Sequence, residues 1–240
     1  MGGIWQWDGW EGNGLGGSWA VGGVRTRRQT SLWGSEIAVA KVEVGGYARR
    51  VMTSARTQLL EILRRKSVMY GEFTLASGKQ SDFYCDARLT TLDPRGALAL
   101  GEVGWEMVVA ESAKLGVVPV AIGGLTMGAD PVALAIGMGA ARAGAELQVF
   151  SIRKQAKVHG RGRLIEGNFK AGDCVVIVDD TVTTGGSTLE AIEKVRAEGG
   201  VVAFVIVLVD RGEGGREAIE AAGVPVRAVF TRADIDGAGS

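Results

Sequence analysis

The chain has little of several things that would decide its chemistry at once. Across 240 residues there are two cysteines, Cys85 and Cys174, far apart and outside any CxxC spacing. A structural zinc site is therefore excluded, and two reduced thiols in a cytoplasmic protein are the plain reading. His159 is the sole histidine, which rules out chemistry needing two imidazoles and His-rich metal sites. No apolar run reaches the roughly 18 residues needed to span a bilayer. The 27 basic and 27 acidic residues cancel, so composition gives no global argument for nucleic acid or membrane as partner. The length suits one α/β domain with an appendage.

Residues 1–51 differ from the rest. Five of the six tryptophans stand here (Trp5, Trp7, Trp10, Trp19, Trp33) among many glycines, with no steady period of 2 or 3.6. The segment reads as an unstructured tail. A stacking platform for single-stranded nucleic acid is the sharper alternative. A signal peptide is excluded, because Gly2-Gly3-Ile4-Trp5 offers neither a basic leader nor a continuous apolar stretch. Met52 precedes the first convincing helix, so the expected working protein spans 52–240 and the preceding residues are an overextended reading of the gene.

From Thr53 to about Ser67 the apolar spacing of Leu59, Leu60, Ile62 and Leu63 predicts a helix. Tyr70 to Asp86 reads as a hairpin around Ala76-Ser77-Gly78-Lys79. Asp93-Pro94 starts a helix to about Glu111. Beyond this, strands and helices alternate. Strands are expected at Val117–Ile122, Glu146–Ile152, Val175–Val178, Val201–Val209 and Val226–Phe230. Helices are expected from Asp130 to about Ala143, Ser187 to about Glu198, and Gly215 to Ala222. Fully apolar strands in such alternation indicate a parallel sheet covered on both faces. Ligands of such sheets sit at the carboxyl ends of the strands. There lie the glycine-rich turn Gly123–Asp130, a polar stretch from Arg153 to Gly167, Asp179-Asp180 with the small residues after them, and Asp210-Arg211.

The stretch Val175-Val176-Ile177-Val178-Asp179-Asp180-Thr181-Val182-Thr183-Thr184-Gly185-Gly186-Ser187-Thr188 carries the most specific signal. Small hydroxyl and glycine residues opening a helix let backbone N–H groups cradle a phosphate. Carboxylates beside a phosphate are repulsive, so Asp179 and Asp180 face sugar hydroxyls or a metal carried by the ligand. A phosphorylated sugar is the expected ligand. The segment Arg153–Arg163 adds five fixed cations and His159. Alone, it reads as a solvated basic loop. At this sheet edge it reads as a lid over a polyanion.

From about Met52 onward these pieces resemble the orotate phosphoribosyltransferases. The Val175–Thr188 stretch is similar to the phosphoribosyl-diphosphate (PRPP) signature of type I phosphoribosyltransferases. Gly71–Lys79 resembles the family's N-terminal segment, Arg153–Gly160 its catalytic loop, and Val209-Asp210-Arg211 its base-binding strand end. The resemblance implies the type I fold, a central parallel sheet with helices on both faces and a small N-terminal hood. It implies Mg²⁺-dependent transfer of phosphoribosyl from PRPP to orotate, giving orotidine 5′-monophosphate in pyrimidine (UMP) biosynthesis. Mg²⁺ would be carried by PRPP with no direct protein ligand.

By the same resemblance Arg153, Lys154, Lys157 and His159 engage the diphosphate, with Lys154, Lys157 and His159 catalytic. Asp179 and Asp180 bind the ribose hydroxyls. Thr181, Val182, Thr183, Thr184, Gly185, Gly186 and Ser187 cradle the 5′-phosphate, and Thr183 and Arg211 contact orotate. The resemblance also implies a homodimer sharing the loop across subunits, in the cytoplasm, without nucleic acid or membrane. Arg211 also stands on its own chemistry: orotate differs from uracil by a carboxylate, which a guanidinium grips bidentately.

The sequence departs from many members in lacking lysines at Ala76 and Met127, so those positions are not expected to hold PRPP. Met127 and Met138 read as core fillers, and Cys85 as a strand residue. Two other functions fit the signature less well: transfer to a different base, and PRPP sensing without catalysis.

Overall fold

The computed structural model describes residues 29–30, 36–37, 47–74, 80–155 and 164–237. Two units are distinguished, Met1–Ala48 and Arg49–Ser240. In the first, β1 (Gln29–Thr30) pairs antiparallel with β2 (Glu36–Ile37). Ladders of two residues leave no periodic signature, which is why the sequence pattern placed no element there. The expectations for the tryptophan-rich arm otherwise lie outside the described residues.

Helix α1 (Tyr47–Lys66) begins six residues before the expected Thr53 and runs through Met52. Its stripe Ala55, Leu59, Ile62 and Leu63 is buried, one face of a 3.6-residue period. Arg64, Arg65 and Lys66 close its last turn, where cations offset the helix dipole. The hairpin comes next as β3 (Val68–Thr74) and β4 (Gln80–Cys85), paired antiparallel. Phe83 and Cys85 of β4 point inward. The short α2 (Arg88–Thr91) was not expected. Then α3 (Pro94–Leu115) starts on an Asp93 cap whose Oδ1 accepts from the N–H groups of Arg95 and Gly96 at 3.0 Å.

The rest is β5 (Ala121–Leu125), α4 (Ala129–Arg142), β6 (Gln148–Ile152), β7 (Ile165–Gly167), β8 (Cys174–Val182), α5 (Gly186–Ala197), β9 (Val201–Asp210), α6 (Gly215–Ala221), β10 (Val226–Thr231) and α7 (Arg232–Asp236). The six-stranded sheet has the order β10-β9-β8-β5-β6-β7. Five strands are parallel. The sixth, β7, runs antiparallel to β6 and lies inside the stretch expected to be loop. Three residues flanked by polar sequence gave no strand signal, so the expected central parallel sheet carries an antiparallel edge strand that was not expected.

Two strand boundaries move with consequence for the site. β5 starts at Ala121 and includes Gly123 and Gly124, which pair with Phe150 and Ser151; the turn proper is shorter than expected. β8 continues through Val182, so Asp179 and Asp180 are strand residues. Period-2 alternation in β8 and β9 feeds two cores. Val176, Val178, Phe204, Ile206 and Leu208 enter one, with α3 and α4. Val175, Ile177, Val205 and Val207 enter the other, with Ala191, Ile192 and Val195 of α5. Burying each such side chain fully is worth about 1.5–3 kcal/mol, and the doubly covered sheet is the rigid base of the site. Met127 and Met138 are not core fillers. They are 67% and 60% exposed, Met138 on the outer side of α4 and Met127 in the turn before it. No described helix is long and apolar enough to cross a membrane.

Candidate active site

A cleft of about 450 Å³ opens at the carboxyl ends of β5 and β8. Asp179, Asp180, Thr181, Thr183 and Ser187 form one wall, Tyr84, Cys85, Asp86 and Arg88 another, and Thr126, Met127, Gly128, Lys154 and Arg211 complete it.

Consecutive strand residues ordinarily alternate faces, yet the two carboxylates lie close together at the end of β8. Asp179 turns toward α5, where its Oδ2 accepts from the Thr188 hydroxyl at 3.1 Å and its Oδ1 from the Asp180 N–H at 3.0 Å. Burial, with the neighbouring charge of Asp180 second, pushes its carboxyl up to about 7. Asp180 is also raised, chiefly by burial; the Thr181 N–H and the Arg88 charge oppose this. Both carboxylates close on Gly128, where a Cβ would stand 2.6 Å from Asp180 Oδ1 and 3.2 Å from Asp179 Oδ1. Only glycine leaves them that room. One buried and one half-buried carboxyl group with so few donors are unfinished acceptors, suited to hydroxyl groups of a ligand.

After β8 the chain turns through Gly185 at φ 82° into α5, a left-handed conformation that glycine adopts without strain. Thr181, Thr183 and Ser187 reach the cleft beside the first N–H groups of α5, which are available to an anion. Val182 does not offer its side chain. It is buried in the core, and its carbonyl accepts from the Arg211 N–H at 3.1 Å. Thr184, Gly185 and Gly186 contribute the turn and no side chain to the wall.

Arg211 stands just after β9. Its side chain is only 7% exposed and pairs with Glu213 at 2.9 Å. Its Nη2 also donates to the Phe83 carbonyl at 3.2 Å. The Nε is buried without a partner, and a buried unpaired guanidinium donor is costly unless a ligand supplies the acceptor. The Phe83 ring carries the Arg232 guanidinium at 3.9 Å and that of Arg211 at 5.6 Å, so the hairpin helps hold Arg211.

Of the basic stretch, Lys154 lines the cleft. Arg153 pairs with Glu166 at 3.3 Å and is not among the lining residues. Lys157 and His159 lie outside the described residues, as does Ala76. Position 127 does border the cleft, with a thioether and no charge. The sequence pattern missed Asp86 and Arg88, a bidentate pair at 2.9 and 3.0 Å. The Arg88 hydrogen bond holds the Asp86 carboxyl low. The signal was the Asp-Ala-Arg immediately after the hairpin. Cys85 is a strand residue as expected, and burial pushes its thiol up to about 12, far from a reactive thiolate. Among the described residues no three potential ligand side chains converge on a metal position. The donor set suits a divalent cation that brings its own oxygen ligands, since Mg²⁺ keeps waters and phosphate oxygens in preference to a protein cage.

No protein-family model matches the chain. An orotate phosphoribosyltransferase from Mycobacterium avium is 45% identical over 178 residues, 74% of this chain and 94% of the relative. One from Rhodopirellula baltica is 40% identical over 176 residues, 73% and 91% of the two chains. The crystal structure of the Mycobacterium tuberculosis orotate phosphoribosyltransferase with PRPP aligns at TM-score 0.60 and 35% identity, covering 78% of this chain and 95% of that one. The same enzyme with Fe(III) dicitrate aligns at TM-score 0.65 and 42% identity over 75% and 98%. The sheet with helices on both faces is thus the type I phosphoribosyltransferase fold, and the chain belongs to the orotate phosphoribosyltransferase family of enzymes.

Proposed function

We propose that this chain transfers the phosphoribosyl group of PRPP to orotate, giving orotidine 5′-monophosphate and diphosphate on the route to UMP. The observation that carries the reading is the pairing, in one cleft, of a buried and a half-buried carboxylate and a hydroxyl-lined helix start with a buried guanidinium whose Nε lacks a partner. The first set suits a ribose 5-phosphate, the second a planar carboxylate. Uracil, adenine and hypoxanthine lack that carboxylate. Transfer to another base is disfavoured by the loss of the carboxylate that Arg211, whose Nε lacks a partner, would bind.

In the reaction the bond from ribose C1 to the diphosphate oxygen breaks as the bond from C1 to N1 of orotate forms, N1 giving up its proton to solvent, with positive charge developing on the sugar ring. No covalent nucleophile is required. Asp179 and Asp180 hold the ribose hydroxyls, and Thr181, Thr183, Ser187 and the α5 N-terminus hold the 5′-phosphate. Thr183 and Arg211 present the orotate. C1 is thereby held in line between N1 and the leaving oxygen. Lys154 meets the departing diphosphate, and Lys157 and His159 are assigned the same work with a proton available from the imidazolium. Mg²⁺ carried on the diphosphate would offset further negative charge there. The proposed assembly is a homodimer in which the stretch beyond Gln155 serves the partner subunit's cleft. The cytoplasm is the assigned compartment.

The direct test is orotate-dependent release of diphosphate from PRPP, alongside uracil, adenine and hypoxanthine, with and without Mg²⁺. Turnover with orotate alone and only with the metal is expected. Absence of turnover in a folded protein overturns the assignment. Lys157→Ala is expected to lower kcat on the order of 10²-fold, the scale for one such electrostatic group.

A further inference from the structure

We infer that Lys194 is a positioning residue that couples the phosphate-binding helix to the cation at the cleft. The inference rests on the proposed role of Lys154 toward the diphosphate. Lys194 lies on α5, two turns beyond Ser187, and its side chain is only 17% exposed. An ammonium has three donors and no acceptor, and here all three have partners. They are the carbonyls of Arg153 and Lys154, each at 2.9 Å, and Glu190 Oε1 at 2.6 Å.

The two carbonyls belong to the residues where the basic stretch leaves β6. On the other side, the Arg153 N–H donates to the Leu164 carbonyl at 2.9 Å, and Arg153 pairs with Glu166. Arg153 is thereby tied to β7 as well as to α5. Among the described residues Lys154 is held through its carbonyl, and it lines the cleft where Arg153 does not. The same helix therefore receives the 5′-phosphate at its start and fixes the backbone of a diphosphate-binding lysine from its third turn. A helix is stiff over that span, so binding at one end of PRPP and placement of charge at the other share a single rigid part. The bland alternative is a surface Glu190–Lys194 pair at i, i+4, which contributes little. The two carbonyl bonds distinguish the cases.

The test is a double-mutant cycle on the full chain: Lys194→Met, Lys154→Ala, the two combined, and Glu190→Gln. Steady-state kcat and KM with PRPP and orotate are measured, together with the calorimetric Kd for PRPP. Lys194→Met is expected to lower kcat/KM for PRPP about tenfold, the scale of a misplaced charged group, and Glu190→Gln to leave it within about twofold. On top of Lys154→Ala, the Lys194 change should cost nothing more. Effects that multiply, or a Glu190→Gln variant as impaired as Lys194→Met, overturn the inference. Should Lys194→Met not fold, Lys194→Gln, whose amide N–H can still donate to a carbonyl, is expected to be less active than wild type; a variant as active as wild type refutes the role. Failure of the wild type with orotate overturns the proposed reaction instead, and the cycle on the Kd for PRPP then still decides the role of Lys194.

Discussion

The ends of β8 and β9 lie side by side, Val182 against Asp210, yet they equip the cleft in opposite ways. β8 delivers two carboxylates inside a strand, both with carboxyls raised by burial, and a turn of small residues. β9 delivers one cation, Arg211, braced by Glu213, the Phe83 carbonyl and the Phe83 ring. At the β8 end burial disfavours the ionised carboxylates, a cost that a sugar's hydroxyls would relieve. The β9 end is partly compensated: the Arg211 Nη2 is paired, while its Nε is buried without a partner. On the proposed reading, recognition of sugar and base in one cleft rests on different physics. One end spends stability on buried charge, and the other excludes ligands that cannot complete a guanidinium.

The largest test of this contrast is Arg211→Ala. With orotate, kcat/KM is expected to fall on the order of 10³-fold, because a bidentate charged contact is lost and the substrate carboxylate is buried unpaired. Arg211→Lys should recover only a small part, since an ammonium cannot reproduce the planar fork. Steady-state kinetics with orotate as varied substrate checks both. A loss confined to PRPP would mean that the β9 end does not read the base.

A smaller effect is expected at the shared ceiling over the carboxylates. Gly128→Ala places a methyl 2.6 Å from Asp180 Oδ1 and must displace that carboxylate. KM for PRPP should rise about tenfold, the order expected when one charge-assisted hydrogen bond is weakened, while KM for orotate stays near wild type. Equal rises in both constants would show that the two ends are not separately equipped. At the β9 end, Glu213→Gln should do the reverse. It removes the charge that neutralises Arg211 and should raise KM for orotate by about five- to tenfold with little change for PRPP, again the scale of one charged hydrogen bond.

How legible these two ends were depends on their parts. The β8 end was readable because its signal is local: β-branched residues, two aspartates and a hydroxyl–glycine turn stand in sequence. Even so, the strand was expected to end at Val178. Aspartates argue against a buried strand, and the pairing of Asp179 with Val207 overrides that preference. Arg211 was readable as chemistry, but not its bracing, because Phe83 is 128 residues away. Arg88 was missed for the same reason: only the folded hairpin carries Asp86 and Arg88 to the aspartates. The mixed character of the sheet was hidden in β7, whose three residues take their strand state from β6. Met127 and Met138 were misplaced because an apolar side chain carries no mark of the side of a helix or turn on which it falls.

The finest test concerns pH, and its sign separates the two ends. The Asp179 carboxyl is raised to about 7 by burial first and the Asp180 charge second, against the usual carboxylate value near 4. The folded state therefore binds a proton more tightly than the unfolded state between about pH 4 and pH 7. Stability from this group is greatest in acid, falls as pH rises through that window, and is at its lowest above about pH 7. In Asp179→Asn this dependence disappears. The melting temperature of the variant minus that of the wild type, without ligand, should be greater at pH 8 than at pH 5.5 by about 3 °C or more, the shift produced by roughly 1 kcal/mol in a domain of this size. Affinity for PRPP in the wild type should run the other way. The ionised carboxylate accepts from ribose hydroxyls, so binding should strengthen as pH rises through 7 and lose that dependence in the variant. Calorimetry across pH 5.5–8.5 checks it. Parallel trends of stability and affinity would show that the charge on Asp179 is a burden of folding with no use at the sugar.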